Sequence, residues 1–288
     1  FGFFEVLDDP EAAAALLAAA AEWVRLRGGQ ALRGPMNFSI NDECGLLVEG
    51  FDAPPVAMMT YNPPRYVEHI EQAGFRKLID LYAWLLEAGD GPPPARLERV
   101  AALARRRAGL TFRRLDMGDF DAEVSRGWEL YNRAWADNWG AVPMTREEFD
   151  YLARSFKPFL DPELLVLAEA GGELAGLLIA VPDLNIPLRR MDGTLLPTGW
   201  ATFLWHRRKI DTLRVMIMGV LPQHRRRGID AVLYQEALAA ARRGGYRRAE
   251  LSWILETNAV MNNTLRALGA RCYKTYRIYE LPLAGGRD

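Results

Sequence analysis

The sequence predicts an α/β protein of the α+β kind, and three observations carry that class. Short apolar runs bounded by glycine or charged residues recur and read as strands, among them 164–170, 174–181, 215–220 and 249–255. Longer segments rich in strong helix formers, such as 10–27 and 233–241, carry helical spacing. The two kinds of segment are interleaved along the chain, as expected where helices cover a sheet.

Composition narrows the function classes. The chain has 288 residues, half of them apolar and a quarter charged, which is a globular profile with room for one large domain or two ordinary ones. A formal net charge of −1, with arginines interspersed among acids, argues against a nucleic-acid partner. Two cysteines, Cys44 and Cys272, make neither a disulfide scaffold nor a zinc site and fit a reducing, cytoplasmic setting. His69, His206 and His224 lie in unlike contexts, so no metal site is expected. No uncharged apolar run reaches the ~18 residues of a membrane span. The alanine-rich stretch 12–21 follows acids, unlike a signal peptide. Phe1–Val6, without a methionine, reads as mid-strand and predicts numbering that starts inside a longer protein.

After the strand at Phe1–Val6 come helix 10–27, the breaker Gly28-Gly29 and strand 31–35. A polar insertion from Asn41 through Tyr61 precedes helix 65–73 and strand 77–86. Gly89-Asp90-Gly91-Pro92-Pro93-Pro94 suits no helix or strand interior and reads as a linker, with a basic helix at 96–107 beyond it. Strand 110–115 and helices 120–136 and 146–159 follow. The runs 164–170 and 174–181 flank Gly171-Gly172-Glu173, a hairpin signal. Then come an aromatic insertion (184–214), the strand ending at Val220 and its helix, strand 249–255, helix 260–268 and strand 273–283. This divides the chain into 1–88, a linker with a basic helix at 89–109, and 110–288. Arg25-Leu26-Arg27-Gly28-Gly29 parallels Ala241-Arg242-Arg243-Gly244-Gly245, and Gln72–Arg76 parallels Ala267–Arg271, so the halves read as a tandem pair, the first lacking its opening strands.

The most informative stretch is the turn between the strand 215–220 and the helix after it. Met218, Gly219 and Val220 end the strand; Arg225, Arg226, Arg227, Gly228, Ile229, Asp230 and Ala231 form a basic turn and a helix start. Unpaired backbone N–H groups at a helix start, with their partial positive charge, suit a phosphate or pyrophosphate. The other reading is a solvated surface turn. The stretch resembles the acyl-CoA-binding motif of the GNAT N-acetyltransferase superfamily, a valine-ending strand followed by Q/R-x-x-G-x-G/A. Arg225, Gly228 and Asp230 hold the three marked positions, Asp230 departing from the family's Gly or Ala. The element order from 110 to 283 is also that of the family.

The resemblance implies tandem GNAT-like halves, each a central mixed, twisted sheet flanked by helices. It also implies acetyl-CoA or acyl-CoA as donor, with an acyl carrier protein thioester as the variant source, and no metal. The first half offers Leu7-Asp8-Asp9-Pro10-Glu11 after its strand, a helix cap rather than a phosphate cradle, so the donor is expected in the second half. Leu265 stands where the family's late-helix acid tyrosine would be. Catalytic candidates are therefore Glu256, Asn258 and Tyr276. Their structural alternatives are helix caps for the first two and sheet packing for the tyrosine. Asn37, Asn41, Asp42 and Glu43 form a polar loop that either binds substrate or satisfies its own backbone. Trp200, within the aromatic and basic stretch 197–209, is a substrate candidate, and that stretch suits a peripheral membrane contact or an acyl-chain pocket, its alternative being a helix covering the sheet.

The stretches Arg33–Asn37, Asn41–Gly45, Lys209-Ile210-Asp211 and Tyr273–Arg277 further resemble a tandem GNAT-like family that includes the bacterial ceramide synthases. That resemblance implies an acyl-CoA-dependent N-acyltransferase acting on a small-molecule or lipid amine of the sphingoid type. Asp230 and Leu265 leave the rival of a catalytically silent GNAT-like binding or scaffold protein.

Overall fold

The computed structural model describes residues 1–87, 91, 93–107 and 109–283. Of the expected linker, residues 89, 90 and 92 lie outside the described residues. The chain forms two compact units. The first holds Phe1–Trp84, Ser252–Arg266 and the described residues from Arg271 on; the second holds the described residues of Leu85–Leu251 with Ala267–Ala270. The units do not follow the linear division at 88 and 109, because the late helix and last strand return to the first unit.

In the first unit, helix α1 (Pro10–Arg25) starts as its sequence dictates: Asp9 accepts from the Ala12 N–H at 3.0 Å and Pro10 opens the helix. Strands β1 (Ala31–Gly34) and β2 (Leu46–Glu49) both pair antiparallel with β9 (Arg271–Pro282). On its other edge β9 neighbours β3 (Arg76–Glu87), which neighbours β8 (Arg248–Leu255). Leu17, Leu32, Leu46, Ile70, Phe75 and Tyr279 form the core, with Tyr66 and Ile70 supplied by α2 (Arg65–Gln72). Helix α9 (Ala259–Ala267) buries Asn262 and Leu265.

One expectation fails in this unit. Phe1–Val6 forms no strand. Phe3 adopts a left-handed φ of 51°, and the segment bonds to loops, Phe1 C=O accepting from Met36 N–H and Asn37 Oδ1 from Phe3 N–H. Its apolar residues Phe1, Phe4 and Val6 still pack on the core, which explains the strand-like pattern. The insertion 41–61 contains β2, a strand where the sequence assigns no element.

The second unit begins with α3 (Ala95–Arg105) and β4 (Leu110–Arg114). Helices α4 (Phe120–Trp135) and α5 (Arg146–Phe156) follow, α5 opened by a reciprocal Thr145/Glu148 capping box. Strands β5 (Leu165–Ala170) and β6 (Glu173–Pro182) form the hairpin expected around Gly171-Gly172. The insertion folds into α6 (Asn185–Leu188) and α7 (Gly199–Arg207) before β7 (Thr212–Val220) and α8 (Ile229–Arg243). The strand order is β8-β7-β6-β5-β4, antiparallel except for the parallel β7–β8 pair. The mixed α/β class expected from the sequence is what the chain adopts.

Candidate functional site

β7 pairs with β6 along nearly its full length, but Met216 is an extra residue between the pairs Ile179↔Ile217 and Ala180↔Val215. Such a bulge bends a strand and re-aims the residues beyond it. The parallel ladder with β8 covers only Thr212–Val215 against Arg248–Leu251. From Met216 to Val220 the edge turned away from β6 therefore carries no ladder with β8 among the described residues, leaving main-chain groups there to bond something else. Gly219 lies under the Trp135 ring, which a Cβ at that position would overlap. Trp135 in turn stacks on Tyr131, with ring centroids 4.8 Å apart.

After Val220, Leu221 anchors the turn by burial and by donating to Ala175 C=O at 2.9 Å. Arg225 then ties the turn in place: its Nε donates to Val220 C=O at 3.2 Å and its Nη2 to Ala134 C=O at 2.9 Å. Arg227 Nη1 lies 2.9 Å from His224 Nδ1, and burial together with that guanidinium holds the imidazole below its usual pKa. Arg226 is exposed with a φ of 60°, and Gly228 takes the left-handed φ of 80°. No side chain caps α8; Val232 N–H is the first to bond back, to Gly228 C=O at 3.3 Å. The N–H groups of Ile229, Asp230 and Ala231 thus stand at the helix start without intrahelical acceptors. This is a cradle fit for an anion, bordered by exposed Arg225 and Arg226. Asp230 is exposed in the first turn, where its charge favours the helix dipole.

The remaining predicted residues fall mostly in the first unit. Glu256 Oε2 accepts from Lys77 Nζ at 2.7 Å, and its Oε1 accepts from the Asp80 N–H at 3.1 Å. Lys77 also pairs with Asp80 at 2.8 Å, and Arg277 Nε donates to Asp80 at 2.8 Å. Burial pushes the Asp80 carboxyl up, but Arg277 and Lys77 together hold it below its ordinary value. Asn258 Oδ1 accepts from Met261 N–H at 3.1 Å, which caps α9. Tyr276 is fully buried, its ring edge-on to Trp253 at 6.2 Å. Leu265 is likewise fully buried, a core residue of α9.

In the polar loop, Asn37 Nδ2 donates to Glu43 at 3.1 Å, Ser39 Oγ to Asp42 at 2.9 Å, and Asn41 N–H to Ser39 Oγ at 3.1 Å. These bonds organise the loop itself. Trp200, in the second unit, is half exposed on α7. Sequence reasoning missed Lys77 and Asp80, which meet Glu256 across 179 and 176 residues of chain, and Arg277, which reaches Asp80 across 197, none with a local signal. It also missed Trp135, for which the i,i+4 aromatic pair Tyr131/Trp135 was the available clue. Among the described residues no group of three His, Cys, Asp or Glu side chains could hold a metal ion.

Comparison with known proteins matches residues 125–270 to the Acetyltransferase (GNAT) family. The chain is 38% identical to the Bacterial ceramide synthase of Caulobacter vibrioides, over 98% of this chain and 75% of that protein. It is 37% identical to Protein YghO of Escherichia coli, over 97% of this chain and 73% of that protein. Among solved structures, a GCN5-related N-acetyltransferase from Sphaerobacter thermophilus aligns with a TM-score of 0.57 at 18% identity, covering 98% of this chain and 71% of that one. A tandem GNAT protein from the clavulanic acid biosynthesis pathway aligns at 0.52 with 16% identity, covering 95% and 70%. A bulged, partly unpaired strand leading through a glycine turn into an uncapped helix is thus found in a chain that belongs to the GNAT acetyltransferase family.

Proposed function

We propose that this protein is an N-acyltransferase that moves an acyl group from an acyl-CoA thioester to a lipid amine of the sphingoid type. One observation carries the reading: the uncapped start of α8, with Gly228 in the left-handed region, adjoins the unpaired edge of β7 in a chain 38% identical to a bacterial ceramide synthase. In this reading the N–H groups of Ile229, Asp230 and Ala231 hold the donor's diphosphate, with Arg225 and Arg226 at its border. The N–H group of Val220, on the edge turned away from β6, is offered to the oxygen that gains charge during acyl transfer. Glu256 is the carboxylate assigned to take the amine's proton, with Lys77 as its partner.

Lipid chemistry is supported by the second unit's surface. Leu195, Leu196, Trp200, Leu204 and Trp205 are all at least half exposed, beside Arg207, Arg208 and Lys209. An apolar and basic face of this kind suits peripheral contact with an anionic bilayer from the cytoplasmic side. Among the described residues no helix is long and apolar enough to cross a membrane.

Calorimetry with CoA, acetyl-CoA and palmitoyl-CoA, followed by transfer assays to a long-chain amino alcohol, tests the reading. Binding of CoA esters with amide formation is expected. Binding without transfer would leave a silent binding protein, consistent with Leu265 in the core. Transfer only from a carrier-protein thioester would replace the CoA donor.

A further inference from the structure

Between the sheet and helices α4 and α5, the second unit forms a partly open apolar cavity of about 70 Å³. Strands contribute Leu167, Leu177, Ile179, Met216 and Ile217 to its wall. Helix α5 contributes Phe149, Leu152, Ala153 and Phe156, yet of these only Phe149 is buried. The apolar face of α5 is therefore incompletely packed, although interiors normally close such space. One ionisable residue, Glu123, reaches the wall. Its carboxylate is already held by Arg113 at 2.7 Å and Arg126 at 2.8 Å, so the cavity has no charge to offer a polar ligand. A cavity with such walls admits apolar molecules.

Its position names the occupant. Met216 and Ile217 lie on β7 directly before Met218-Gly219-Val220, so Ile217 adjoins Met218 and is three residues, about 10 Å, from Val220. A carbon chain that starts from a carbonyl bonded at Val220, or at Met218 on the same edge, meets the cavity within a few bonds. Resting on the donor site proposed above, we infer that this cavity seats the first methylenes of the donor's acyl chain. A dry cavity of about 150 Å³ accepts the six carbons of benzene, so 70 Å³ takes about three carbons. The rest of a longer chain leaves past the partly buried Leu152 and Phe156 of α5.

The test is equilibrium binding of CoA, acetyl-CoA, butyryl-CoA and hexanoyl-CoA to the full chain, measured by calorimetry. Each buried methylene tightens binding about fourfold, so butyryl-CoA should bind about fifteenfold more tightly than acetyl-CoA. The step from butyryl to hexanoyl should be smaller, because the volume is then filled. Ala153→Leu fills the cavity from a helix position that accepts leucine. Gly127→Val fills it from α4, where a Cβ would meet the Phe149 ring at an ordinary 3.7 Å. In both variants the butyryl-to-acetyl ratio should fall to within about twofold while affinity for CoA itself is unchanged. No dependence on chain length in the natural protein, or a ratio that survives both substitutions, would overturn the inference while leaving the donor site intact. Loss of amine affinity with the donor ratio unchanged would also overturn it, by giving the cavity to the acceptor's tail. Failure of every CoA ester to bind would instead sink the donor site on which the inference rests.

Discussion

Replacing Gly228 by alanine examines the turn through its backbone alone. Gly228 holds a φ of 80°, and a side chain there costs about 1–2 kcal/mol for left-handed backbone. A Cβ would also lie 3.0 Å from Val100 Cγ1 and 3.1 Å from Ala104 Cβ on α3. Both contacts are tighter than packed side chains accept, and shifting α3 to relieve them adds about 1–2 kcal/mol. The total is about 2–4 kcal/mol, a fall in Tm of roughly 3–7 °C for a protein of this size. Gly172 provides the control, with a φ of 87° and open space around its Cβ position. Gly172→Ala should cost only the backbone component, about 1–2 kcal/mol. Thermal unfolding followed by circular dichroism measures both. Because the three N–H groups of the cradle follow Gly228 directly, Gly228→Ala should also weaken CoA binding by about tenfold or more, whereas Gly172→Ala should leave it alone. Equal losses of stability for the two variants, with CoA affinity kept in both, would refute the claim that this turn is shaped by close packing to present N–H groups.

Three further outcomes are expected. Glu256→Gln keeps the acceptor for the Asp80 N–H but removes the ion pair with half-exposed Lys77, so stability should change by less than about 1 kcal/mol while turnover falls about a hundredfold or more; near-normal turnover would leave Glu256 a structural residue. Asp80, held by Arg277 and Lys77, and Glu236, held by Arg105 and by Arg114 at 2.8 Å, both lose stabilising pairs in acid: their carboxyls sit below the ordinary values of 3.8 and 4.5, so their contribution is complete above those values and disappears as pH falls through the lower folded-state ones, and Asp80→Asn should flatten the acid limb of a Tm-against-pH curve. Trp200→Ala with Trp205→Ala should abolish sedimentation with vesicles containing phosphatidylglycerol without lowering Tm, since both rings are more than half exposed; unchanged sedimentation would remove α7 from the membrane face.

The features legible in the sequence were local. The hairpin at Gly171-Gly172 and the passage from β7 into α8 are each written in fewer than about thirty consecutive residues, and both formed as expected. Phe1–Val6 misled because alternating apolar residues report burial, and here they pack on the core without any strand to pair with. Strand β2 was hidden by its length of four residues inside a polar stretch. The surroundings of Glu256 were beyond reach for another reason. Its partners Lys77 and Asp80 come from β3, and Arg277, which holds Asp80, comes from β9, so the charge network exists only after the sheet has formed. Arg225 shows the same limit in the motif itself. Its place in the turn was plain from the sequence, but its bonds to Val220 and Ala134 depend on where α4 ends.

The most direct test of the account is to incubate the purified protein with a CoA ester and a long-chain amino alcohol, and to quantify CoA thiol and amide product together. One amide should form for each thiol released, with both abolished when Gly228→Ala and Arg226→Glu are combined to remove the cradle. Thiol release without amide, or neither product from a protein that binds CoA, would contradict the account.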